Sequence, residues 1–160
     1  MRTDLLSGGL SGDAMVLLRL LAAALAGVVL GWPRNISEKP IGMRTLGLVS
    51  LGAAMVAIAA LRYEGLHNDP NAVSRVLQGV VQGLTVGVGF IGAGVILRDT
   101  STNKVHGLTT ATTVLIAAGL GIACGLGDWF VAAAGLVFAL VILIVLKRFE
   151  NRVTSRPEEH

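Results

Sequence analysis

The residues whose types and spacing could do chemistry fall into three sets. The first is Gln78, Gln82, Thr85, Gly89 and Gly92, whose separations of 4, 3, 4 and 3 keep them on one narrow stripe of a helix. Carboxamides and a hydroxyl in a row can hold a polar ligand, line a path for ions or bind another protein. The string Gly89-Phe90-Ile91-Gly92-Ala93-Gly94 continues this stretch. The second set is Thr109, Thr110, Thr112 and Thr113, within Gly107-Leu-Thr-Thr-Ala-Thr-Thr113. Thr109, Thr112 and Thr113 fall near one helix face and are placed to meet the glutamine stripe. Threonine hydroxyls also bond the preceding turn of their own helix, so the type alone proves little. The third set is Arg19, Arg44 and Arg98. Arg19 lies inside an apolar run. Arg44 and Arg98 lie at the ends of such runs, where they can bind anionic lipid headgroups or simply anchor loops.

Catalytic sets are missing. No nucleophile stands beside a base. His67, His106 and His160 fall in loops or the tail, and Cys124 sits in a small-residue apolar stretch as a packing residue. A single cysteine excludes an internal disulfide and a cysteine-built metal centre. Glu64, His67 and Asp69 make a weak divalent-ion set, but Asp69-Pro70-Asn71 reads better as a turn and helix cap. No metal ligand set is therefore assigned. Gly87-Val-Gly89-Phe-Ile-Gly92 matches the dinucleotide pattern G-x-G-x-x-G, which works only where a strand turns into a helix. Here it is buried in an apolar run. An enzyme is not expected.

The elements that must position these residues are membrane spans. Of the 160 residues, 53% are hydrophobic and 14% charged, too few polar groups to cover a soluble core. The apolar residues fall in blocks at about 14–32, 45–61, 76–97, 108–127 and 129–146, the last two divided by Gly127-Asp128. The 76–97 block is uncharged and long enough to cross a bilayer. The reading is an all-α, polytopic protein with five transmembrane helices. Residues 1–13 form an N-terminal segment without the basic start of a signal peptide, and 147–160 form a tail. Nine basic residues fall on one side, among them Arg34, Lys39, Arg44, Arg98 and Lys104, and three on the other. That bias puts the N-terminus outside and the C-terminus in the cytoplasm. The net charge of +3 is too small to suggest nucleic-acid binding.

By this segmentation Arg19 is the one ionisable residue inside a span. Its burial costs at least ~3 kcal/mol on insertion scales, so it either snorkels to the outer headgroups or makes a buried contact, with carbonyls of glycine-rich helices as partners. The spans hold no carboxylate, which disfavours a proton relay or a carboxylate-based magnesium path. Backbone carbonyls leave a filter-type ion path open. Gly79, Gly83 and Gly87 form a second row on the third segment, the small-xxx-small pattern of close helix contact in membranes. They are the expected oligomer contact. The glutamine stripe should face the bundle interior, a pore or another subunit.

Gly89-Phe-Ile-Gly-Ala-Gly-Val-Ile-Leu97 followed by Gly107-Leu-Thr-Thr-Ala111 resembles the signature of the MgtC/SapB membrane proteins. Arg19-Leu-Leu with Gly27 and Gly31, Lys39-Pro-Ile-Gly-Met-Arg-Thr45, Asp69-Pro and Arg75-Val agree in order, so the resemblance runs from Arg19 to about Gly127. Three departures stand out. The family's Glu-Arg pair at the end of span one is replaced by Trp32-Pro33-Arg34, leaving its carboxylate role absent or moved to Glu38. The third segment carries an extra turn, and no soluble C-terminal domain is expected. The resemblance implies a bacterial inner-membrane protein linked to growth in low magnesium, acid stress and survival in host cells. Two classes of action are implied. One is a non-enzymatic modulator that binds membrane complexes, such as the proton-translocating ATP synthase. The other is a small transporter or channel for magnesium or another ion. No cofactor is expected, magnesium entering only as a transported or sensed ion.

Overall fold

A computed structural model describes residues 4–35, 41–62, 70–99 and 104–146. Five helices follow in order: α1 (Asp4–Asn35), α2 (Met43–Leu61), α3 (Pro70–Val95), α4 (Leu108–Leu126) and α5 (Trp129–Val141). The last continues as a π-helical turn, Ile142–Leu146. A two-stranded antiparallel hairpin, β1 (Leu97–Asp99) with β2 (Lys104–His106), joins α3 to α4, and Arg98 pairs with Val105 in its register. The architecture is all-α apart from this hairpin. Gly12–Arg34, α2, Asn71–Val95 and α4 are each long and apolar enough to cross a membrane, and the apolar stretch Trp129–Val145 is a shorter helix. Glu38, Lys39, Glu64, His67, Asp69 and the tail 147–160 lie outside the described residues.

Local chemistry sets the ends. Pro70 opens α3, a position where the missing N–H is no loss. Pro33 stands in the final turn of α1, where it removes a single helical bond. The helix therefore runs past the apolar block and carries Arg34 on its last turn. Gly107 precedes α4 at φ +93°, and a side chain there would strike the carbonyl of Val95. Gly127 closes α4 at φ +82°; its N–H and that of Asp128 return to the Cys124 and Ala123 carbonyls. Asp128 Oδ1 then accepts from the N–H of Val131 at 3.1 Å and caps α5.

The core is a triangle of α1, α2 and α4, with Leu30, Leu46 and Val114 fully enclosed. Its contacts are made backbone to backbone. A methyl on Gly27 would come within 2.8 Å of Gly47 Cα, and one on Gly31 within 2.6 Å of Met43 Cα. A methyl on Gly121 would land on the Ser50 carbonyl, and one on Gly125 within 3.1 Å of Ala54 Cα. Two Gly-x-x-x-Gly pairs, one on α1 and one on α4, therefore fit α2 from both sides. Within the span of α4 56% is buried; within that of α3 the figure is 11%. Helix α3 leans mainly on α4, through Val88 and through Gly92 against Ala111, with a lighter contact to α2, and its other faces are open.

Candidate functional site

Two arginines tie α1 to opposite ends of α4. Arg34 is only 4% exposed. Its Nε donates to the Ile41 carbonyl at 3.3 Å. Its Nη1 donates to Thr113 Oγ1 at 3.1 Å and to the Thr109 carbonyl at 3.5 Å. Its Nη2 donates to Thr110 Oγ1. Thr113 Oγ1 in turn donates to the Thr109 carbonyl at 2.5 Å. The planar guanidinium thus meets four neutral acceptors from two segments, a fork that a lysine could not reproduce. It does so against the first turn of α4, whose dipole opposes a cation. The acceptors, rather than a counter-charge, make the burial tolerable.

Arg19 works at the other end. Its Nη1 donates to the Gly125 carbonyl at 3.1 Å, and its guanidinium lies over Gly127, 2.7–3.2 Å from where a Cβ would stand. A cation at the carbonyl end of a helix satisfies an orphan acceptor and complements the dipole. Arg19 Nε is buried without a hydrogen-bond partner among the described residues. A third link at this end, the exposed ion pair of Arg62 and Asp13 at 2.8 Å, joins α2 to α1.

The threonines do not meet the glutamine stripe. Thr110 and Thr113 are buried and bonded to Arg34 of α1. Thr112 is exposed and bonds the Leu108 and Thr109 carbonyls of its own turn at 3.2 and 3.0 Å. It is Ala111, between the two pairs, that receives α3 at Gly92. Sequence reasoning missed Arg34 as a site residue, because it follows Pro33 among loop charges. The i, i+3 spacing of Thr110 and Thr113 was a signal of a paired hydroxyl site.

The stripe itself looks outward. Gln78, Gln82, Thr85 and Gly89 are exposed, and of the five only Gly92 is buried. Thr85 Oγ1 donates to the Val81 carbonyl at 2.7 Å. Gln78 and Gln82 have no hydrogen-bond partner among the described residues. Gly79, Gly83, Gly87, Gly89 and Gly94 have open space where a side chain would project, and Phe90 is 83% exposed. Arg44 is exposed on the first turn of α2. Behind the stripe, α3, α4 and α5 enclose an open apolar crevice of about 390 Å³, lined by Leu84, Thr85, Leu115, Gly119, Val131 and Gly135 among others.

Among the described side chains the only carboxylates are Asp13 and Asp128, both at the Arg19 end. No group of three or more His, Cys, Asp or Glu that could hold a metal occurs among the described residues.

Comparison with known proteins gives a consistent result. The model of the MgtC family matches residues 20–152. Protein SrpB of Synechococcus elongatus is 40% identical over 139 residues, covering 83% of this chain and 75% of its own. Protein MgtC of Salmonella typhimurium is 35% identical over 141 residues, 88% of this chain and 56% of its own. Protein SapB of Bacillus subtilis is 37% identical over 136 residues, 81% of this chain and 55% of its own. The chain thus spans little more than half the length of MgtC and SapB. No solved structure matches.

Proposed function

This chain belongs to the MgtC family, and from that premise we propose that it is a non-enzymatic protein of the bacterial inner membrane that adjusts ion homeostasis or membrane energetics. It acts under low magnesium or acid stress by binding other membrane proteins. The observation that carries this reading is the outward face of α3. It presents two carboxamides without partners among the described residues and a row of open glycines in a helix long enough to span the bilayer. Lipid cannot satisfy an amide, and bare glycines give it little to pack against. A protein surface does both. The same face suits a complex such as the proton-translocating ATP synthase, and it suits self-association.

The arginines speak against the rival, a magnesium or other ion channel between the helices of one chain. Such a path would need polar groups facing inward, and Thr110 and Thr113 are the buried hydroxyls of α4. Both are occupied by a guanidinium, whose charge repels a cation. The orientation follows from charge. Arg34, Arg44 and the β1–β2 hairpin share one end, taken as cytoplasmic, and Asp13, Arg62 and Asp128 share the other. The test is reconstitution in liposomes holding a magnesium-sensitive dye, with crosslinking capture of partners from membranes in parallel. Vesicles with protein should leak no faster than empty ones. Flux abolished by Gln78→Leu with Gln82→Leu would sink this reading.

A further inference from the structure

We propose that the outward face of α3 is a twofold interface with a second copy of this chain, centred on Gln82. The inference rests on the reading that this face contacts protein, and it names the occupant. The molecule carries its own comparison. Helices α3 and α5 are both largely exposed. The exposed side chains of α5 and its extension include Phe130, Val131, Val137, Phe138, Val141 and Ile142, all compatible with acyl chains. Those of α3 include Val86, Phe90 and Ile91 as well, but add Gln78 and Gln82, set beside open glycines, for which α5 has no counterpart. Gln82 lies twelve residues into a helix of 26, so roughly 18 Å along it and close to the bilayer centre. Its side chain is too short to reach either interface.

The choice of a second copy follows from chemistry and shape. A carboxamide holds a donor pair and an acceptor, and is therefore complementary to another carboxamide. A twofold axis along the membrane normal sets each residue opposite its own counterpart at equal depth. Gln82 then pairs with Gln82, and Gln78 with Gln78, with no further residue required. At 100° per residue Gly79, Phe90 and Gly83 lie about 60°, 80° and 100° from Gln82, on one side of it, with Gly94 and Gly87 farther round at about 120–140°. Gly79 and Gly83 allow the two backbones to approach, and they leave room into which the exposed Phe90 ring of the other copy fits. Self-pairing thus satisfies the amides and fills the space left by the glycines.

The experiment places a photo-crosslinking benzophenone amino acid at position 90, and separately at Phe130 as a control, in the full chain within native membranes. The expected product from position 90 is an adduct of twice the chain mass, with no such adduct from position 130. An adduct only to other proteins would overturn self-pairing and leave the protein-contact reading standing. Adducts to lipid alone would overturn both. Energy transfer between labelled chains in liposomes gives the affinity. Gln82→Leu should weaken association roughly three- to tenfold, the range of a membrane-buried polar contact. Gly83→Ile should abolish it. Since no described residue outside its own turn lies within 4 Å of a Cβ at Gly83, that variant should leave the monomer's stability near that of the parent, which unfolding in detergent checks. An association unchanged in both variants would refute the interface.

Discussion

At the scale of single residues, Arg34 is the most constrained group in the described chain. Its partners come from Ile41, Thr109, Thr110 and Thr113, so it fastens the start of α2 and the start of α4 to the end of α1. Replacement by Gln keeps the polarity and loses most of the fork. Removing one partner of a buried hydrogen-bonded network costs about 1–3 kcal/mol for each group left unsatisfied. Arg34→Gln should therefore lower the thermal midpoint in detergent by several degrees, and Arg34→Lys should recover little of it. A midpoint unchanged by both variants would mean that the guanidinium bonds carry no stability. The sequence showed Arg34 only as one positive charge beside a proline. Its acceptors on α4 lie 75 to 79 positions away, and no local pattern announces a pairing over that distance. Arg19 was more legible, because an arginine inside an apolar run must either snorkel or find a partner. That its acceptor is the carbonyl end of α4 follows only from the fold.

At the scale of elements, three glycine rows look alike in sequence and differ in use. Gly27 with Gly31 and Gly121 with Gly125 sit against backbone of α2, whereas Gly79, Gly83 and Gly87 face open space. The spacing is the same, small-xxx-small, and the deciding information is which helices the connections bring together. The five helices themselves were readable from apolar blocks. The closeness of α1, α2 and α4 was not, because glycine density, highest in the third segment, does not specify which helix a glycine row meets. The contrast is testable by substitution. Gly121→Val forces a branched Cβ onto the Ser50 carbonyl and should cost about 3 kcal/mol or more, the upper part of the overpacking range. Gly87→Val should leave stability in detergent near that of the parent chain. Chemical or thermal unfolding of the two variants decides, and equal losses would contradict the described packing. The buried hydroxyl of Ser50, without a hydrogen-bond partner among the described residues, shows how tightly α2 is enclosed on this side.

At the scale of the whole molecule, the charges sort into two ends. With Cys124→Ala as background, single cysteines at Asp13 and Lys104 report the two faces. In intact cells a maleimide that cannot cross the inner membrane should label Asp13→Cys, and it should label Lys104→Cys only after lysis. The reverse result would invert the topology. Loss of the Asp13–Arg62 pair itself matters little, since an exposed ion pair contributes about 0–1 kcal/mol.

The helices also differ in length, and that difference reaches beyond packing. Helices α2 and α4 have 19 residues each and α3 has 26, or about 28 Å against about 39 Å at 1.5 Å per residue. The first length matches a hydrocarbon layer of about 30 Å, and the second exceeds it. Part of that excess is the polar start of the helix, Asn71 to Arg75, and α3, held mainly by α4 through Val88 and Gly92 near its C-terminal end, accommodates the rest by leaning. Its tilt thus responds to the thickness of the surrounding bilayer as well as to its packing. A change in lipid chain length would rotate the glutamine face relative to the fixed triangle of α1, α2 and α4. The lipid composition of the membrane becomes an input to whatever that face holds.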